Sequence, residues 1–251
     1  MNTLAMAERG QGPDVVLVHG GAGPGTTWAG TESLAARWKL VRVYRRGFEP
    51  SPAAVDGRQD FLVDAEDLAA IFEARRPHVV AHSYGTLGTL LAAGRAPDSV
   101  RSLTLIEPPL YYLAAADPAV ARLQEVGDMV LTDGLDADPK VLREFLVLSG
   151  APGIGSGELP VKAAASVRRA LGGRLPGEAR PDLAALRSAG VPALVASGGH
   201  TPALESICDG LATALGARRV VAPGAGHFVA AAPGFAETLD RFLRSADTTA
   251  G

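Results

Sequence analysis

The sequence predicts an α/β protein: an open, mostly parallel sheet with helices on both faces. Two observations carry this expectation. Short runs rich in Val, Leu and Ile recur along the chain, nearly continuous rather than alternating, as strands buried on both faces are. Between them lie segments with apolar residues at helical spacing, and that alternation is the mark of an α/β sheet. At 251 residues the chain is long enough for one large domain or two small ones.

The expected strands are Val15 to Val18, Leu40 to Tyr44, Val79 to Ala81, Leu103 to Ile106, Ala193 to Ala196 and Arg219 to Ala222. One helix face is marked by Phe61, Ala65, Leu68 and Phe72, and another by Leu204, Ile207, Leu211 and Leu215. Phe235, Leu239 and Phe242 mark a third near the C-terminus. Residues 110–189 break the rhythm, with helix starts and no convincing strand. Asp117-Pro118 and Asp138-Pro139 each set an N-cap acid before a proline at the first helical position. Gly150 to Pro160 reads as loop. The expected organisation is therefore a core of residues 1–110 and 190–251 with a helical cap, 111–189, inserted between two strands.

Composition excludes several classes. Basic and acidic side chains number 24 and 27, a net charge of −3, and no basic cluster exceeds pairs such as Arg168-Arg169. No nucleic-acid partner is expected from so even a charge. The single cysteine, Cys208, cannot form an internal disulfide, which suits a reducing, cytoplasmic compartment. Neither a signal peptide nor a run of eighteen apolar residues is read, so a soluble protein without a membrane partner is expected. Only three of the 24 basic residues are lysine, a bias that hints at a GC-rich bacterial genome. Oligomeric state is left open.

Three segments carry chemistry. In Val79-Val80-Ala81-His82-Ser83-Tyr84-Gly85 an apolar strand runs into a serine with small residues at −2 and +2, followed by a helix-compatible stretch. A nucleophile elbow needs that context, because large side chains at those positions would collide in the turn. Ala81 stands where the usual pattern has glycine. The bland alternative is a serine that merely caps a helix. In Val18-His19-Gly20-Gly21-Ala22-Gly23 a strand ends in a glycine-rich loop whose backbone can approach a substrate closely. Gly21 and Tyr84 would supply the two N–H donors of an oxyanion hole. A dinucleotide loop is the competing reading, but its later glycine and acid are missing. His19 reads as a structural hydrogen-bonder. Finally, His227 lies in Gly224-Ala225-Gly226-His227, after the last strand and before the last helix, where a general base could meet Ser83.

Together these segments resemble the α/β-hydrolase fold superfamily over nearly the whole chain, including the Arg45-Arg46-Gly47 turn. The resemblance implies Ser83 as nucleophile, His227 as base, Gly21 and Tyr84 as oxyanion hole, and a cap over the site. The family's usual acid would fall in Gly198-Gly199-His200-Thr201, where threonine stands in place of Asp. Thr201 reads instead as an N-cap before Pro202. Some members carry the acid one strand earlier, which points to Glu107 of Glu107-Pro108-Pro109; Glu205 and Asp209 read as surface acids. Tyr111, Tyr112 and His200 are the expected substrate-binding residues. The implied activity is cofactor-independent hydrolysis of an ester, lactone or thioester of a small, fairly apolar molecule, without a metal. Two alternatives remain open: a carbon–carbon bond hydrolase, cyclase or lyase on the same fold, or a ligand-binding protein that has lost catalysis.

Overall fold

The computed structural model describes residues 3–151, 154–155 and 157–249. Its sheet contains β1 (Met6–Arg9), β2 (Asp14–Val18), β3 (Lys39–Val43), β4 (His78–His82), β5 (Ser102–Ile106), β6 (Ala193–Ser197) and β7 (Arg218–Val221), in the order β1-β3-β2-β4-β5-β6-β7. β1 runs antiparallel to β3; every other pairing is parallel. The six strands expected from sequence all form, with ends shifted by a residue or two. β1 is the strand the sequence did not reveal. All four of its residues are exposed, so no apolar run betrays it, and an ion pair from Glu8 to Lys39 of β3 ties down this edge.

Residue parity along the strands divides the core into two layers, because successive side chains face opposite ways. Val16, Val18, Val41 and Val43 face one side, where they pack with Phe61, Leu68 and Phe72 of α2 (Phe61–Arg75), Leu87 of α3 (Gly85–Arg95), and Ile207 and Leu211 of α8 (Pro202–Leu215). Val15, Leu17 and Leu40 face the other, against Trp28, just after α1 (Pro24–Thr27), and Leu239 and Phe242 of α9 (Phe235–Thr249). Each of the three helix faces named from sequence is buried as expected.

Between β5 and β6 lie α4 (Pro118–Asp133), α5 (Pro139–Leu148), α6 (Val161–Ala170) and α7 (Leu183–Ser188). The two Asp-Pro starts behave as the sequence indicates. Asp117 accepts from Ala119 N–H at 2.9 Å and Asp138 from Lys140 N–H at 2.7 Å. Val130, Leu142, Leu146 and Val167 form a separate small core within this segment. Val120 and Leu123 of α4 dock on the main core instead. So do Leu183 and Leu186 of α7, which places the end of the inserted stretch on the body of the protein. No described helix is long and apolar enough to cross a membrane.

Candidate active site

β4 delivers Ser83 to the carboxyl edge of the sheet, and the turn into α3 holds it at φ 52°, left-handed backbone that non-glycine residues seldom adopt. Three hydrogen bonds hold that conformation. Ser83 N–H donates to Ile106 O at 2.8 Å, and Ser83 O accepts from Thr86 N–H at 2.9 Å and from Thr86 Oγ1 at 2.6 Å. Crowding explains the small neighbours: a Cβ on Gly85 would lie 2.4 Å from His19 O, and one on Gly20 2.8 Å from Ser83 Cβ. Ala81 is fully buried in the main core, so its methyl is accommodated.

The loop after β2 is braced from behind. His19 is buried, its Nδ1 2.7 Å from Gly20 O and its Nε2 accepting from Arg45 N–H at 3.2 Å. Burial, with Arg45 nearby, holds its pKa down at about 3, so it is a neutral structural group. Arg45 Nη1 also donates to the carbonyls of His19 and Gly20 at 3.4 Å. A trans peptide points its C=O and N–H in opposite directions. Anchoring Gly20 O therefore turns the Gly21 N–H away from Arg45, and Gly21 lines the cavity in front of Ser83. The Tyr84 N–H lies just before the first turn of α3, where helix donors lack intrahelical partners. Among the described residues neither N–H has an acceptor.

Glu107 ends β5 at φ 48°, and its side chain is wholly buried. Oε2 lies 2.5 Å from His227 Nδ1. Oε1 accepts from Gly198 N–H at 2.7 Å and stands 3.3 Å from His200 Nδ1. Burial alone would raise the Glu107 pKa, but the contacts from His200, His227 and Gly198 outweigh it and hold the carboxyl well below the usual carboxylate range. An ionised carboxylate only accepts, so the proton of neutral His227 sits on Nδ1. That tautomer leaves Nε2 bare, able to take a proton. Ser83 and His227 line the same cavity, without a direct hydrogen bond between them among the described residues; such contacts often tighten only when substrate binds.

His82, immediately before the serine, is a neighbour that sequence reasoning passed over. Its ring lies 4.4 Å from that of His227, and its Nε2 donates to His227 O at 2.8 Å. Burial, reinforced by the proximity of His227, holds its pKa near 3. It is thus a neutral clamp on the His227 loop. Arg45 was noted only as part of a turn, yet it is 1% exposed and paired with buried Asp64 at 2.9 Å. These roles depend on partners distant in the chain, so no local signal announced them.

The cavity has a volume of about 650 Å³ and reaches from Ser83 to the inserted helices. Ser83, His227, Glu107, Gly21, Tyr84 and Tyr111 all line it. Two residues expected there do not. Tyr112 is half-buried against the main core beneath the Arg180 guanidinium, 4.8 Å from its ring centre. His200 stands behind Glu107 rather than on the wall. Thr201 does occupy the N-cap position of α8, but its hydroxyl is buried and makes no cap. Glu205, expected as a surface acid, instead braces the loop by accepting from Ser197 Oγ at 2.8 Å and Gly199 N–H at 3.0 Å. Among the described residues, Glu107, His200 and His227 bring donor atoms within 4.8 Å of one another, a grouping of metal-ligand type. The carboxylate's bonds to imidazole and amide N–H account for that grouping without an ion.

The sequence profile of the alpha/beta hydrolase family matches residues 15–237. The chain belongs to the alpha/beta hydrolase family. Among curated relatives, the pimeloyl-[acyl-carrier protein] methyl ester esterase of Methylococcus capsulatus is 33% identical over 186 residues, 72% of this chain and 68% of that one. An alpha/beta hydrolase from Sphaerobacter thermophilus is 26% identical and superposes with a TM-score of 0.65 over 96% of both chains. A thermophilic esterase from Thermogutta terrifontis shares the fold, with a TM-score of 0.70 at 20% identity over 97% of this chain and 93% of that one. With this family and its esterase relatives, the chain is an esterase-type hydrolase.

Proposed function

We propose that this alpha/beta hydrolase cleaves an ester, lactone or thioester of a small, fairly apolar molecule through Ser83, His227 and Glu107. The observation that carries the reading is the 2.5 Å contact between Glu107 and His227 Nδ1, on a cavity shared with a serine in left-handed backbone. Ser83 Oγ attacks the acyl carbon while His227 Nε2 takes its proton. The carboxylate of Glu107 stabilises the imidazolium, and the N–H groups of Gly21 and Tyr84 bind the oxyanion. The leaving alcohol or thiol departs with the proton from His227. Water then attacks the acyl-enzyme, giving a proton to His227; the intermediate collapses, His227 returns the proton to Ser83 Oγ, and the carboxylic acid leaves. The apolar wall supplied by Leu131, Phe145 and Leu146 supports an apolar substrate, and the ester named for the Methylococcus relative supports the bond type. In this reading α4 to α6 form the cap within residues 111–189, over the core of 1–110 and 190–251.

A fluorophosphonate probe tests the proposal, since it labels only an activated serine. Wild type is expected to label on Ser83 and to hydrolyse p-nitrophenyl butyrate. Ser83→Ala is expected to lose both while keeping its circular dichroism spectrum. Label on another residue, or turnover above a few per cent in Ser83→Ala, refutes the assignment.

A further inference from the structure

Lys162, Ser166 and Arg169 stand at i, i+4 and i+7 on α6 and so share one stripe of the helix. All three line the cavity. The other ionised groups on its wall are already matched: Glu107 by His227 and Gly198, and Arg45 by Asp64. Arg169 is different. Among the described residues its Nε is buried without a hydrogen-bond partner, and Nη2 reaches only Ser166 Oγ, at 3.4 Å. Its Cζ lies 5.1 Å over the Phe48 ring, a cation–π contact that holds the guanidinium at the cavity wall. Phe48 packs edge-on against His19 at 4.4 Å, so this cation is tied to the loop that carries Gly21.

A guanidinium stays charged in a protein, and a buried N–H without an acceptor costs free energy that an arriving acceptor restores. The planar fork suits two oxygens of one carboxylate or phosphate. Lys162, two turns away on the same stripe, adds positive charge, and among the described residues no unengaged acid lines the cavity.

We infer that Arg169, with Lys162 and Ser166, binds a carboxylate or phosphate group on the substrate, which is thus an amphiphile with an apolar body and an anionic end. The inference deepens the esterase reading of the same cavity and rests on it for the identity of the ligand as substrate.

Isothermal titration of the full chain with decanoate, decyl phosphate and decanol tests it without turnover. Wild type is expected to bind at least one anion roughly tenfold more tightly than decanol, the scale of a charge-assisted hydrogen bond. The carboxylate and phosphate arms tell the two anions apart. Arg169→Gln is expected to bring the ratio towards one, and Arg169→Lys to leave it in between. Arg168→Gln, exposed on the same helix and off the cavity wall, is expected to keep it. No anion preference in wild type, or a ratio that Arg169→Gln leaves unchanged, overturns the inference. Failure of the esterase reading registers separately, as absent fluorophosphonate label on Ser83.

Discussion

Glu107→Gln is the sharpest perturbation of this site, because it keeps shape and volume and removes only charge and one acceptor. The carboxylate has no exposed surface and receives Gly198 N–H at 2.7 Å and His227 Nδ1–H at 2.5 Å. If the glutamine oxygen keeps Gly198, its NH₂ faces His227 Nδ1, which must then lose its proton and become the acceptor. The proton moves to Nε2, and the imidazole cannot take one from Ser83. If the amide is flipped, its NH₂ meets the Gly198 N–H, donor against donor in a buried pocket, at a cost of about 1–3 kcal/mol. Either arrangement also removes the charge that stabilises the imidazolium. The expected loss in kcat is roughly 10⁴-fold, or about 5.4 kcal/mol at 1.36 kcal/mol per tenfold. Hydrolysis of p-nitrophenyl butyrate measures it, with circular dichroism and thermal melting to verify the fold. A folded variant within tenfold of the wild-type kcat would refute the role given to Glu107.

Three further outcomes are expected. His200→Phe removes a group 3.3 Å from Glu107 Oε1, so kcat should fall by roughly tenfold with KM little changed, at about 1.5 kcal/mol for a contact to a charge; a change in KM alone would return His200 to the substrate-binding role read from sequence. Arg45→Met leaves Asp64 buried and unpaired, and urea denaturation should show a loss of about 3–5 kcal/mol, much of it recovered by adding Asp64→Asn. Stability should also fall with acid. His19 and His82 have folded pKa values near 3, below the ordinary 6.5, so between those limits the unfolded chain binds protons the native state refuses. Stability is then lost as pH drops from about 6.5 towards 3. Between pH 7 and 5.5 the two histidines together account for about 2–3 kcal/mol, and urea midpoints that stay level across that interval would show that they are not held neutral.

The parts of this protein written into its sequence are those decided by near neighbours. Apolar runs announce β2 to β6, because a strand covered on both faces is mostly apolar; β7, half exposed at the sheet edge, shows only Val220 and Val221. The Asp-Pro pairs at 117 and 138 announce helix starts, because a cap bonds two residues along. The step from strand through Ser83 to helix is legible locally, as a serine between the small residues Ala81 and Gly85, although what those small residues make room for, His19 and Gly20, comes from another strand's end. What the sequence could not decide is set by residues that meet only after folding. β1 is polar and exposed, so its pairing with β3 leaves no hydrophobic trace. Tyr111 and Tyr112 look equivalent in the chain, yet Tyr111 lines the cavity while Tyr112 packs beneath Arg180. Glu107 could be named as a candidate acid, but its distance from His227, 120 residues on, depends on where β5 and the loop after β7 end. The partners of His82, Arg45 and Arg169 follow the same rule. A polar side chain's role is fixed by what neutralises or hydrogen-bonds it, and here those groups come from other strands, loops and helices.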